Sequence, residues 1–210
     1  MPPNDLGEGD RSGLSAPAAT TGSHAVVVVS YIRAWPEAGA ELIRQLREAL
    51  GPLAQRVEHI GSTAVPGMAA KNVLDMQVSV ADLDEAARAF DAPLAALGFR
   101  RKPHERDHVP VGSLDDPGRW AKRFWSRRGH PSGDVNLHVR VLGSPNERLA
   151  LLFRDWFRAH PEAVPSYGAF KFALADIAPD SGTYSNTKDP VVDLVAVVAE
   201  SWAAHIGWRP

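Results

Sequence analysis

No cysteine occurs among the 210 residues, which removes disulfides, thiolate nucleophiles and cysteine-based zinc sites and fits a reducing cytoplasm. Net charge is scarce as well. The chain sets 23 Lys and Arg against 25 Asp and Glu, a formal balance of -2, so a whole-molecule pull toward nucleic acid or an anionic membrane is not supported, and only local patches could act that way. Long hydrophobic runs are missing too. The most apolar stretch, Val191 to Ala204, is broken by Asp193 and Glu200, and the Pro-, Gly-, Ser- and Asp-rich start has no apolar signal segment. A soluble cytoplasmic protein with no membrane partner is therefore expected. Zinc-ligand spacings, a Walker motif, a Rossmann glycine pattern and a Ser-His-Asp elbow are also absent, and the eight histidines are dispersed.

What is present is ordinary globular composition, 44% hydrophobic and 23% charged. That suffices for one well-buried core. Residues 1–24 hold almost no large apolar side chains and read as a disordered tail, since ordering them would cost entropy with no burial to offset it. Residues 25–210 read as a single domain, with a sheet part over about 25–142 and a helical part over about 144–208.

The hydrophobic pattern orders the elements. Ala25 to Ile32 is a β-branched run expected to form a strand, and Trp35-Pro36 opens a helix through Leu50 that Gly51-Pro52 stops. Arg56 to Ile60 and Asn72 to Val80 read as strands, the second with Leu74, Met76, Val78 and Val80 on one face and Asp75, Gln77 and Ser79 on the other. Asp82 caps a helix over Leu83 to Leu97, ended by Gly98. A hairpin is expected with Asp107–Ser113 and Trp120–Arg127 as arms. Asp134 to Leu142 alternates in the same way, with Asp134, Asn136, His138 and Arg140 on its polar side. Ser144, Pro145 and Glu147 spell a capping box for the next helix. Two more helices follow, from about Pro161 through Ala175 and from Pro190 to about His205 with Asp189 as cap.

Two polar strand faces brought together could form a catalytic floor, although the same alternation fits a sheet with its polar face in water. The Gly61-Ser62-Thr63 turn suits a phosphate, because glycine admits close backbone approach and the hydroxyls donate, and Asp75 follows Ser62 after twelve residues. An ordinary tight turn is the competing reading. Between Arg100 and Arg128 nine basic residues face four acidic ones, a surplus of five. This basic island makes Lys122, Arg123 and Arg127 candidate phosphate partners along with Lys71, yet it lacks the aromatic interleaving of a single-strand platform, which argues against a nucleic-acid partner.

The stretch His59-Ile60-Gly61-Ser62-Thr63-Ala64-Val65-Pro66-Gly67-Met68-Ala69-Ala70-Lys71, followed by Leu74-Asp75, closely resembles the signature of the GrpB family, a group placed in the polymerase-β-type nucleotidyltransferase superfamily. Asn136-Leu137-His138-Val139, Phe153-Arg154-Asp155-Trp156, Arg158-Ala159-His160-Pro161, Tyr167 to Lys171 and Tyr184 to Lys188 are similar to further family motifs, so the likeness runs from about Tyr31 to Trp202. It implies an α+β fold: a small mixed sheet of nucleotidyltransferase type flanked by helices, with about three C-terminal helices over its polar face. It also implies a transferase that moves a nucleotidyl or related phosphate-containing group to a small molecule, with a nucleotide or CoA-like ligand. Some members are fused to dephospho-CoA kinases.

The superfamily pattern brings carboxylates to two divalent ions such as Mg²⁺. Here Asp75 is the one acid of the first pair, because Gln77 fills the second position and the later strand offers Asn136 and His138. Asp75 is thus the single candidate metal ligand, and Asp75, His138 and His59 are the candidate catalytic residues. Ligand contacts are expected from Gly61, Ser62, Thr63, Lys71, Gln77, Lys122, Arg123, Arg127, Arg154, Tyr167 and Lys171. Tyr184 and Lys188 join that set from a loop before the last helix, where they could act as a lid. A non-catalytic nucleotide-binding module and a metal-independent transferase or ligase with a histidine base stay open beside the first reading.

Overall fold

The computed structural model describes residues 26–210. The tail expected over 1–24 lies outside them. Helix α1 (Trp35–Leu50) starts at its Trp-Pro pair and buries Leu42, Leu46 and Leu50. Strand β1 (Arg56–Ile60) leads through Gly61 into a short 3-10 turn, and β2 (Val73–Val80) follows. Helix α2 (Leu83–Ala96) is capped as its sequence predicts, with the Asp82 side chain accepting from the backbone N–H groups of Asp84 and Glu85. Then come β3 (Arg100–Lys102), β4 (Lys122–Arg127), β5 (Asp134–Val141) and the helices α3 (Pro145–Ala159), α4 (Val164–Ile177) and α5 (Ser181–Ile206).

The five strands form one mixed sheet in the order β1-β2-β5-β4-β3. Only β2 and β5 run parallel, in a register that sets Asp75 beside Asn136, Gln77 beside His138 and Ser79 beside Arg140. On the opposite face Leu74, Met76, Val78, Val135, Leu137 and Val139 join α1 and α2 in the main core, closed by Phe90, Phe99 and Trp125. The C-terminal helices lie on the polar side. A second core of Val65, Met68, Phe153, Phe157, Val164 and Tyr167 joins the glycine-serine loop to α3 and α4. No helix among the described residues is long and apolar enough to cross a membrane.

Four expectations need correction. Val26 to Ile32 makes only one isolated bridge, Val29 with Ala70, because its apolar side chains are divided between cores: Val26 packs with Leu174 and Tyr184, and Val29 against the sheet core. The hairpin arm over Asp107–Ser113 is not a strand; β4 pairs instead with β3 and β5. There, the Asp107 carboxylate is drawn onto Lys122 and Arg140, and the His108 ring onto Asp193, while Pro110 interrupts any ladder. Ser144 makes no capping bond to the backbone of α3. Its hydroxyl donates to Val141 O, and Glu147 turns inward to Ser79 and Arg56. Finally, α5 begins at Ser181 under the Asp180 cap and runs through Pro190, so Tyr184 and Lys188 are helical and not on a lid loop. Burial of the Tyr184 ring against Leu174 and Val26 anchors that added length.

Candidate functional site

The polar face of the sheet is not a wet surface. Gln77 and Ser79 are both 0% exposed, and both are hydrogen-bonded, as burial requires. Ser79 donates to Glu147 Oε1 at 2.7 Å, and Arg56 reaches the same oxygen at 3.0 Å. Gln77 accepts from Arg140 and donates to the Glu147 carbonyl. Asp107 takes the Lys122 ammonium at 2.6 Å, the Arg140 guanidinium at 2.8 Å and the Asn146 amide at 3.0 Å. Burial pushes the Asp107 carboxyl up, but Arg140, through its charge and hydrogen bond, and then the Lys122 charge hold it well below the usual range. This half of the face is a closed buttress.

Beyond the buttress the face opens into a cavity of about 330 Å³ between the sheet and helices α3, α4 and α5, of a size suited to a small-molecule site. Its floor carries Asp75, Asn136 and His138, one edge is the Gly61-Ser62 turn, and Lys71, Lys188 and Tyr167 stand around it. A smaller recess of about 50 Å³ adjoins it, walled by Ser62, Thr63, Lys71, Lys171, Tyr184 and Lys188. Gly61 makes the corner feasible. Its φ is +67°, and a Cβ there would fall 2.6 Å from Asp75 Oδ2, so glycine lets the turn close onto the carboxylate.

Asp75 lies deep in the protein yet keeps 32% of its side chain open where it borders the cavity. Burial pushes its carboxyl up, but the His138 ring at 3.9 Å, the Asn136 amide donating at 2.7 Å and the Lys188 charge outweigh that and bring it down to about 2. It is an anion at neutral pH. His138 moves down to about 4, through burial and then the Arg140 charge. An Arg140 amine 3.3 Å from its Nδ1 has no lone pair to offer, so Nδ1 accepts and the proton sits on Nε2, toward Asp75. His138 therefore orients the carboxylate and is poorly placed to act as a base.

Other predicted residues fall elsewhere. His59 points through the opposite face of the sheet to α1, where its ring sits against Gly39, and its Nε2 meets Thr63 Oγ1 at 2.8 Å; burial lowers it to about 4. Arg123 and Arg127 also project to that opposite face, Arg123 onto Asp84 at 2.5 Å and Arg127 over the Phe99 ring. Strand alternation makes this unavoidable once Lys122 faces Arg140. Lys122 is on the right side but engaged by Asp107. Gln77 is a brace. Arg154 pins α3 to β1 through Glu58 at 2.7 Å and the His59 carbonyl at 3.1 Å. The residues gathered at the cavity and its recess are Gly61, Ser62, Thr63, Lys71, Asp75, His138, Tyr167, Lys171, Tyr184 and Lys188. Asn136, offered by the later strand, holds Asp75; Asp107 and Asn146 also line the cavity and are parts of the site that sequence reasoning missed, Asp107 giving no sign beyond being an acid inside the basic island.

Two divalent ions do not fit this donor set. Asp75 is the one acid on the β2 floor, Gln77 offers its oxygen to Arg140, Asp107 is filled by two cations, and Asp189 and Asp193, which also line the cavity, face His108. Among the described residues no group of three His, Asp or Glu side chains is arranged to hold a metal. A larger groove of about 850 Å³ runs between the 110–119 segment and α3 and α5, but its charges are already paired, Arg148 with Glu200, Arg119 with Asp115 and Asp193 with His108.

Comparison with known proteins agrees with this architecture. The family described as GrpB protein matches residues 25–197. A dephospho-CoA kinase of Mycobacterium tuberculosis is 37% identical over 84% of this chain and 46% of its own length. A UPF0157 protein of Streptomyces coelicolor is 35% identical over 83% of each chain. The crystal structure of conserved protein GrpB from Enterococcus faecalis superposes with a TM-score of 0.66 at 27% identity, covering 84% of this chain and 99% of that one. The chain spans about half the length of the dephospho-CoA kinases it matches. Sheet, glycine-serine turn and family match point the same way: the chain belongs to the GrpB family.

Proposed function

We propose that the cavity binds a phosphate-bearing small molecule, a nucleotide or CoA-like ligand, and that the protein transfers a nucleotidyl or related phosphate-containing group from it to a second small molecule. The observation that carries this reading is the convergence of Lys71, Lys171 and Lys188 with the Gly61-Ser62 turn around one recess that opens beside Asp75. The Lys188 charge bears on both Lys71 and Lys171, and a polyanion between Lys71 and Lys188 would relieve their repulsion. Burial pushes Lys71 and Lys171 below the usual lysine range, and the Lys188 charge adds to it; a bound phosphate beside Lys71 would raise Lys71 again.

Kinship with polymerase-β-type nucleotidyltransferases belongs to this proposal. It is supported by a glycine-serine turn followed by a strand aspartate in a mixed sheet, and the missing second acid implies transfer without the two-metal arrangement. Asp75, held by Asn136 and His138, would accept a hydrogen bond from the hydroxyl of the acceptor molecule and orient it toward the phosphate. Relatives named dephospho-CoA kinase support a CoA-related ligand, although the match covers under half of their length. A non-catalytic phosphate-binding module is the second reading, favoured by Gln77, which is locked between Arg140 and Glu147.

Asp75→Asn separates the two. For a transferase, the substitution abolishes movement of radiolabelled phosphate from a bound nucleotide while nucleotide binding persists, and stability falls by no more than about 1–2 kcal/mol because the site is partly open. Unchanged transfer in that variant would remove Asp75 from the mechanism.

A further inference from the structure

Lys171 is an unusual lysine. It sits on α4 with 2% of its surface exposed, and among the described residues no carboxylate lies within ion-pair distance of it. Its Nζ meets Ser62 Oγ at 2.8 Å and lies 4.9 Å from the centre of the Tyr167 ring. Buried lysines kept as structural cations are normally supplied with an acid; this one is supplied with a hydroxyl. Ser62 in turn borders both the main cavity and the recess, directly after the glycine whose backbone turn presents it.

We propose that Lys171 and Ser62 form a base–nucleophile pair, in which the neutral amine takes the Ser62 proton and Ser62 accepts the transferred phosphorus group as a covalent intermediate. This rests on the phosphate-ligand reading of the cavity. The step balances: the hydroxyl proton moves from Oγ to Nζ, Oγ forms a bond to phosphorus, the bridging P–O bond breaks, and its electron pair leaves with the departing phosphate fragment. Lys71 and Lys188, across the recess, neutralise that charge. In the second half the acceptor hydroxyl, oriented by Asp75, displaces Ser62 and gives up its own proton to solvent, while Lys171 returns the first proton to the departing Ser62 Oγ.

Groups facing Lys171 set its readiness. Lys188 from α5 and Lys71 from the loop before β2 add positive charge, Asp75 from β2 opposes them, and the Tyr167 and Tyr184 rings exclude water. Burial first, then the Lys188 charge, brings the ammonium down to about 7. Among the groups at the cavity, Asp75 at about 2 and His138 at about 4 are poor proton acceptors near neutrality, whereas an amine at about 7 is matched to the task.

Diisopropyl fluorophosphate tests the pair without knowledge of the natural donor, because attack by Ser62 releases fluoride and leaves a stable phosphoryl adduct. The full chain should gain one adduct, located to Ser62 by peptide mass spectrometry, at a rate that rises with pH around a midpoint near 7. Ser62→Ala should abolish it. Lys171→Met should slow labelling about 100-fold and erase the midpoint, while its melting temperature at pH 7 is unchanged or higher because an uncompensated buried cation has been removed. A merely structural lysine would not move the pH profile. No adduct at Ser62, or equal labelling in Lys171→Met, overturns the pair; if nucleotides still bind in calorimetry, the cavity reading survives that loss. Adduct formation in a chain that binds no nucleotide or CoA ester would instead overturn the phosphate-donor half.

Discussion

Histidines 59 and 138 make the fold sensitive to acid. Both are lowered to about 4 from an ordinary value of 6.5, so between pH 6.5 and 4 the unfolded chain binds protons that the folded chain refuses. Stability is therefore fully present above about 6.5 and falls as pH drops through that window, by at most about 1.4 kcal/mol per pH unit for each histidine. Asp75 works in the same direction at lower pH: its carboxyl is held at about 2, so its contribution is present above about 3.8 and is lost on the way down to 2. Chemical denaturation followed from pH 8 to pH 4 should show this decline, and a His59→Gln variant should have a shallower slope over 6.5 to 4. A slope identical to that of the unaltered chain would mean that His59 is not buried neutral between β1 and Gly39.

At the scale of elements, the segment between β3 and β4 acts as a strap whose fastening is Asp107. Its carboxylate joins β4 through Lys122, β5 through Arg140 and α3 through Asn146. Asp107→Asn would leave two buried cations short of their counter-charge, and urea denaturation should report a loss of about 3–5 kcal/mol; a loss below about 1 kcal/mol would show that the strap is held by other contacts. The alternation in β2 and β5 made the two polar faces legible from sequence, and the Asp82 cap and the stop at Gly51 were legible because such signals are local. Partnership was not. Nothing in the sequence told that Asp107–Ser113 would trade ladder bonds for side-chain anchors, or that a short β3 would supply the edge. Asp189-Pro190 reads as a helix start, which puts Tyr184 and Lys188 in a loop, yet burial of Tyr184 draws the helix back past it. Charge alone recommends Arg123 and Arg127 as ligand residues, and the two-residue period of β4 turns them away.

For the whole molecule, the sheet divides the protein by chemistry. An apolar core with α1 and α2 lies on one side, and on the other a charged buttress borders the cavity beneath α3, α4 and α5, where Lys71 and Lys188 stand opposite Asp75. The central claim is that this cavity takes a phosphate-bearing ligand through its lysines, without the two-metal arrangement. It is tested most directly by thermal-shift titration with nucleoside triphosphates and CoA esters, each with and without Mg²⁺ and Mn²⁺. The account predicts that at least one ligand raises the melting temperature in proportion to its concentration over its dissociation constant, to the same extent with and without divalent ion, and that Lys188→Ala weakens the effect. A chain whose melting temperature no nucleotide or CoA ester moves, or one that responds only when a divalent ion is present, would contradict it.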